Sequence, residues 1–570
     1  MPFLAGSQLM AVRKNFHWYK KLMIVITVIF LSAFIILLIF VDRFVEPILK
    51  DRIHTLIVQG SDSLYTYHLG KLKANFFGGN VEIQDLEINV DSIRYNKLRS
   101  INALPSLTMQ VNLQRGRIKG LGIFSLLFLK KINVQEIMSA DANIRLSRHI
   151  HPRHVQEATL PLWEAIQPKI KSIYVDRIRL EGIKLLYKNA DTSESVKLQF
   201  DRCDALFKDI RIDSASFADT TRVGFTKSID MKFRGLKFRT EDSLYKMKAK
   251  EIVYSSTERK LEIDSFKLQP TLEKEDFYKK VGEQASMYRI EFQKVRFVNT
   301  HLDHFIHNNI IDADSAIFIQ PAISIYNDRS EKINYESKIG KYPQQQLLKA
   351  ASTILIKNLV VQNADIDYTE KNPVNMKEGT FTVSHMNMNA ANITNDSATI
   401  SRQPVCTAKM QGAIMDVTPF STEFRFYLDT TNGKYDAKGT VGNITASTLN
   451  LLAVPLANVK INSINLRQLN FQVSGEDYEA TSNVRMLYNR LSITLRKTNE
   501  ETGETSTKKF LTKVINKFVI WPDNPGPDGT ERVATKAQVA RLTTQSFFGL
   551  FWKAIFAGMQ DVMMKSGRYQ

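Results

Sequence analysis

Six of the ten histidines fall in two short clusters, and imidazoles at that density raise the question of a metal first. His149, His151 and His154 lie in RHIHPRH, and His301, His304 and His307 lie in HLDHFIH beside Asp303. Ring nitrogens with a carboxylate could bind zinc, and the second cluster is the better candidate. Its spacing of three puts successive side chains on opposite faces of a strand, so a loop or a helical turn is needed to converge them. Solvated or turn histidines explain both clusters more simply, and no metal or other cofactor is expected.

Other chemistry is hard to find. The sequence holds no G-x-S-x-G elbow, no phosphate-binding G-x-x-x-x-G-K-[ST], no H-E-x-x-H and no C-x-x-C. Gly120-Leu121-Gly122 lacks the third glycine of a dinucleotide loop. Carboxylates are plentiful but scattered, with no acid set beside a base, so the chain is not expected to be an enzyme. Cys203 and Cys406 are the only cysteines, which excludes a disulfide framework and a cysteine zinc site. Two buried, separate thiols are expected.

What the sequence does repeat is an apolar spacing. In Ile354 to Tyr368 the apolar residues are Ile354, Ile356, Leu359, Val361, Ala364, Ile366 and Tyr368. Ile173, Val175, Ile178, Leu180, Ile183, Leu185 and Tyr187 fall at the same offsets. Less perfect copies start at Val81 (then Ile83), Ile132, Ile290 (then Phe292) and Val459 (then Ile461, with Phe471 further on). Two-residue steps are the period of a pleated strand, and the polar pairs between them, such as Lys357-Asn358, break a helical stripe. The three-residue steps flip the face, so bulged, strongly coiled strands are predicted.

The N-terminus reads differently. Arg13, Lys14, Lys20 and Lys21 precede LMIVITVIFLSAFIILLIFV, Leu22 to Val41, whose only polar side chains are Thr27 and Ser32. That stretch is long enough for one bilayer crossing, and the basic flank keeps the N-terminus cytoplasmic with the bulk exported. No small-x-small cleavage site follows, so it is read as an uncleaved anchor. The chain then divides into a basic tail (1–21), the anchor (22–41), an amphipathic helical extension (42–64), a repetitive β region with short helices (65–378), a C-terminal β module (379–520), a linker (521–545) and an amphipathic terminal helix (546–570). In the terminal helix Phe547, Phe548, Phe551, Trp552 and Phe556 could face a membrane or a partner, or could cap the β body.

Seventy-seven Lys plus Arg against 58 Asp plus Glu give a net charge of +19, which favours anionic partners. Export disfavours nucleic acid among them and leaves lipid head groups or acidic glycans.

This layout resembles the AsmA-like family of Gram-negative envelope proteins, relatives of TamB and of the bridge-like lipid transfer proteins. The resemblance is carried by the anchor and by KLKANFFGGNVEIQDLEI, LGIFSLLFLKKINVQEIMSADANIRL, IYVDRIRLEGIKLLYKN and ILIKNLVVQNADIDYTE. It continues through the run from Lys438 to Lys497, and spans about residues 22 to 565. It implies a mainly β fold: an inner-membrane anchor, then an elongated, curled, antiparallel β groove in the periplasm that moves lipid or serves outer-membrane biogenesis. Groove candidates are Val81, Ile83, Ile173, Val175, Ile183, Leu185, Ile290, Phe292, Ile354, Ile356, Ile366, Val459, Ile461 and Phe471. Expected partners are phospholipid or another envelope lipid and the inner membrane. The alternative is an assembly scaffold that binds outer-membrane or envelope proteins through sheet edges or the terminal helix.

Overall fold

The computed structural model describes residues 54–565 apart from 60, 76–78, 123–124, 126–127, 150–170, 190–195, 214, 217–218, 220, 224 and 499–504. The anchor at 22–41 lies outside the described residues, as does most of the extension at 42–64, of which the single turn Thr55–Gln59 is seen. Among the described residues no helix is long and apolar enough to cross a membrane.

The protein is mainly β, and its chain forms two compact units, one within Phe16–Phe266 with Asn299–Asn308 and one comprising Lys267–Val298 with Asn309–Gln570. In the first unit β1 (Tyr65–Asn75), β2 (Asn80–Val90), β3 (Leu107–Lys119) and β4 (Lys131–Arg148) pair antiparallel in sequence order. Next, β5 (Ser172–Asn189) pairs parallel to β4, and β6 (Val196–Ile212), β7 (Thr226–Arg239) and β8 (Tyr245–Ser255) continue antiparallel. The chain passes to the second unit within β9 (Lys260–Pro270). There β10 (Ser286–Val298) pairs antiparallel to β11 (Ile310–Asp328), which pairs parallel to β12 (Thr353–Lys371). Antiparallel neighbours follow through β13 (Glu378–Thr394), β14 (Val405–Ile414), β15 (Thr418–Tyr427), β16 (Tyr435–Val441), the short β17 (Ile444–Thr445) and β18 (Val459–Gly475). The last long strand, β19 (Glu479–Thr498), carries β20 (Thr505–Thr507) and β21 (Val533–Ala540) as antiparallel neighbours.

The expected all-antiparallel order is therefore corrected at two places, and the repeat gives the reason. Between β4 and β5 the register is Ile132 to Ile173, Val134 to Val175, Ile137 to Ile178 and Ile144 to Leu185, so two sequence copies lie side by side in phase. Parallel neighbours need a crossover of a dozen or more residues. Residues 329–352, with the helix Pro343–Leu348, provide it between β11 and β12.

The predicted bulges are present at the second three-residue step, where the register shifts between Leu180 and Ile183 and between Val361 and Ala364, while no register shift marks the first step. The second three-residue step of each good copy lands on a residue with positive φ: Gly182 at 68° in β5 and Asn363 at 53° in β12. Each sits beside another, Asp141 at 57° and Gln320 at 48°, so the bulges of parallel neighbours are stacked. At Gly182 a Cβ would stand 2.8 Å from Asp141 Oδ1, while its N–H donates to Asp204 Oδ1 at 2.8 Å. Glycine, Asn and Asp tolerate this left-handed backbone where a β-branched residue would not.

Two further expectations change. Residues 521–545 are not a simple linker, because Val533–Ala540 adds β21 beside β19. The strand-like C-terminal run contains a helix, Ala446–Ala457, capped by the Thr445 side chain; its sequence is apolar almost all round, so it shows no helical stripe.

Candidate functional site

The apolar template makes one face of the sheet in each unit, and the two units treat that face differently. In the first unit Val81, Ile83, Ile173, Val175, Ile183 and Leu185 belong to a single packed cluster and are almost fully buried. The cavity left among Val81, Ile83, Met109, Ile118, Ile137 and Ile144 is about 60 Å³, far too small for an acyl chain. Here the walls press on one another.

In the second unit β10, β11 and β12 carry the same face in rungs. Tyr288, Ile325 and Tyr368 form one rung; Ile290, Ile323 and Ile366 form the next; Val295, Phe318 and Val361 a third; Phe297, Ala316 and Leu359 a fourth. Ile290, Val295, Ala316, Ile325, Val361 and Ile366 are buried, and Phe292, Phe297, Phe318, Ile323, Ile354, Ile356 and Leu359 are half-buried, with Phe318, Ile323 and Leu359 packed against the C-terminal core. Phe292 and Phe318 touch, with ring centroids 5.3 Å apart. Sequence reasoning found the copies on β10 and β12 and missed the one on β11. Its positions 311, 313, 316, 318, 321, 323 and 325 pair in phase with the template, but Ala313, Ala316 and Pro321 occupy three of them.

Towards the C-terminus the apolar face is covered. The terminal helix, Phe547–Met563, starts at the Ser546 cap and buries Phe547, Leu550, Ala554, Ile555 and Val562. Phe551 packs on Phe471, 5.7 Å between centroids, and Phe547 on Tyr435 at 4.8 Å, so Phe471 and Phe547 are core residues. Of the residues assigned to a membrane or partner, Phe548 and Phe551 are half-buried, while Trp552 is 57% and Phe556 44% exposed. Val459 and Ile461 are half-buried; the Asn450 side chain both donates to and accepts from the Ile461 backbone, at 2.7 and 2.8 Å.

The opposite face of the first unit is ionic. Asp204 accepts from Arg202 at 2.9 Å and Arg234 at 3.0 Å, and Arg234 also reaches Glu251 at 2.9 Å. Burial works against the Asp204 charge, but the Arg202 bond, the Gly182 N–H and the two guanidinium charges hold the carboxyl below its usual range. Arg117 pairs with Glu82 and Lys237 with Asp201 along the same face. The Arg117–Glu82 and Lys237–Asp201 pairs are exposed and contribute little each, so their main effect is to keep the face solvated.

The histidine clusters resolve in part. His301 and His304 stack with centroids 4.9 Å apart at the helix Leu302–Asn308, and His304 Nε2 is 3.7 Å from Asp303. The helical turn needed to bring them together is thus present. His149 is buried, its Nε2 3.1 Å from Thr108 Oγ1; His151 and His154 lie outside the described residues.

Both cysteines are free thiols. Burial pushes Cys203 up to about 12, with the neighbouring Asp204 charge adding to it, and burial alone pushes Cys406 up to about 12. Thiolate is the reactive form, so neither residue should add N-ethylmaleimide at pH 7.5 on a timescale that labels the urea-unfolded chain twice. Rapid addition of one label to the folded protein, read by intact mass, would contradict the packing of that strand.

No family model matches the chain, and no curated protein matches it either.

Proposed function

We propose that the protein is an inner-membrane-anchored lipid-shielding protein of the AsmA-like kind, which holds or passes envelope lipid along the apolar wall of β10, β11 and β12 in the periplasm. The observation that supports this reading is the incomplete burial of that wall, where each rung keeps one or two side chains, such as Phe318 and Ile323, partly accessible beside buried neighbours. Four in-phase apolar rungs are left partly in water there, whereas the same spacing is packed shut in the first unit and lies under a helix nearer the C-terminus. Water contact with aliphatic side chains costs about 25 cal/mol per Å², and each lipid methylene buried against such a wall returns about 0.8 kcal/mol. Head groups would remain in solvent, where a chain with a net charge of +19 offers cations to phosphate. The apolar stretch at 22–41 is the attachment in this reading.

The test is photo-crosslinking in the full chain. A diazirine amino acid at Phe292, Phe318 or Ile323 should capture phospholipid, detected as a mass adduct after purification. The same group at Asn389 or Gln472, on the solvated face, should not. Absence of lipid on all three wall positions, or equal capture on both faces, would overturn the reading. Ile323→Asp should reduce copurified lipid while the far-UV circular dichroism of the protein stays that of the wild type.

A further inference from the structure

The second unit has a polar counterpart to its apolar wall. On the face turned away from the terminal helix, β13 to β16, β18 and β19 enclose an open furrow of about 710 Å³. Two rungs line it, each crossing six strands in unbroken register. Asn389, Lys409, Glu423, Lys438, Gln472 and Asn483 make one. Asn387, Gln411, Ser421, Thr440, Asn470 and Arg485 make the other.

The composition of these rungs is unlike that of the first unit, whose solvated face is a series of Arg–carboxylate pairs. Here eight of the twelve side chains are Asn, Gln, Ser or Thr. Of the four charged ones, Lys438 lies 3.5 Å from Glu423 and Arg485 lies 2.6 Å from Glu531. Among the described residues Lys409 alone of the four makes no ion pair, so the furrow is close to electrically neutral and suits neither a polyanion nor an anionic bilayer. What it offers is amide hydrogen bonding from Asn389, Gln411 and Gln472, since the Ser421 and Thr440 hydroxyls bond each other at 3.0 Å, Asn387 is held by Asn363 and His385, and the Asn470 and Asn483 oxygens accept from Gln468 and Lys536. The floor is stiff, because Phe424, Ala437, Val473 and Met486 on the reverse face are buried in the core beneath the terminal helix. A site held by a packed core loses little freedom when a ligand orders it.

We propose that this furrow binds an extended, hydroxyl- and amide-bearing glycan, a β-1,4-linked N-acetylated strand, lying across the sheet strands along the two rungs. A pyranose in such a chain is close in length to one strand spacing, and successive sugars are turned over, so their acetamides face the two rungs alternately. The inference does not rest on lipid contact: the furrow is on the other face of the sheet, and lipid capture at Phe318 is read independently.

Isothermal titration of the full chain with chitohexaose tests it. Binding is expected, with chitobiose weaker by at least tenfold because it can engage only part of the rungs. The triple variant Asn389→Ala, Gln411→Ala, Gln472→Ala should weaken chitohexaose by tenfold or more, as loss of several hydrogen bonds implies. It should unfold at the wild-type temperature, since the three side chains are exposed. The proposal is overturned by no heat from chitohexaose at millimolar concentration, by unchanged affinity in the triple variant, or by equal affinity for maltohexaose, whose α-1,4 chain coils instead of extending.

Discussion

Replacing Arg541 by methionine is expected to remove about 3–5 kcal/mol of stability, the range for breaking a buried ion pair from one side. The Arg541 side chain is fully buried. Its guanidinium pairs with Asp477 at 3.4 Å and donates to the backbone oxygens of Asp477, Lys338 and Gln545 at 3.0, 2.7 and 2.8 Å. It also lies 4.2 Å from the centroid of the Tyr342 ring. Asp477 is held in turn by Gln345 Nε2 at 2.8 Å and the Gly340 N–H at 3.2 Å. One side chain thus ties together the crossover after β11, the turn between β18 and β19, and the entry to the terminal helix. Methionine keeps most of the volume but leaves the Asp477 charge and three carbonyls without their donor, and that orphaned desolvation dominates the loss. Urea unfolding followed by circular dichroism measures it. Asp477→Asn in the Arg541→Met background should restore part of the stability, because the uncompensated charge is then gone. A loss below about 1 kcal/mol in the single variant would mean that the network is solvated.

The apolar spacing was legible because a strand's two-residue period and its bulges leave a direct trace in sequence. Ile173 to Tyr187 and Ile354 to Tyr368 form long strands with left-handed residues at a face-flipping step. Parallel pairing was not legible, since equal spacing on two strands fits either direction and only the crossover decides. The β11 copy was hidden by Ala313, Ala316 and Pro321, whose small or ring-closed side chains still fit a packed, bulged face. The wall's openness was out of reach for another reason. Val175 and Ile356 stand at equivalent offsets, yet one is buried and the other half-exposed, a difference set by what packs above the strand and not by the strand. Sequence also read the furrow strands only for their apolar half. Asn389, Gln411 and Gln472 alternate with core residues as any solvated face would, and their alignment across six strands exists only in the register.

The terminal helix provides the second large effect, and it separates a cap from a recruiting tail. Gly558 faces β19 so closely that a Cβ there would stand 2.3 Å from Val484 Cγ2 and 3.0 Å from Ser482 Oγ. The buried Ser482 hydroxyl donates to the Ala554 carbonyl at 2.6 Å, one turn earlier in the same helix. Gly558→Val must therefore lift the helix or displace Val484, and overpacking of this kind costs about 1–3 kcal/mol even though valine is the better helix former. Trp552→Ala, on the exposed side of the same helix, should change stability by no more than about 0.5 kcal/mol. The pair of variants, compared by urea midpoint, reads which face is docked. A destabilised Trp552→Ala beside an unaffected Gly558→Val would reverse the assignment and return the helix to a membrane or partner. The expected order has a consequence for truncation: removing residues 546–570 would uncover Phe424, Tyr435, Phe471 and Val484 together, so loss of activity in such a deletion reports an opened core before it reports a lost partner.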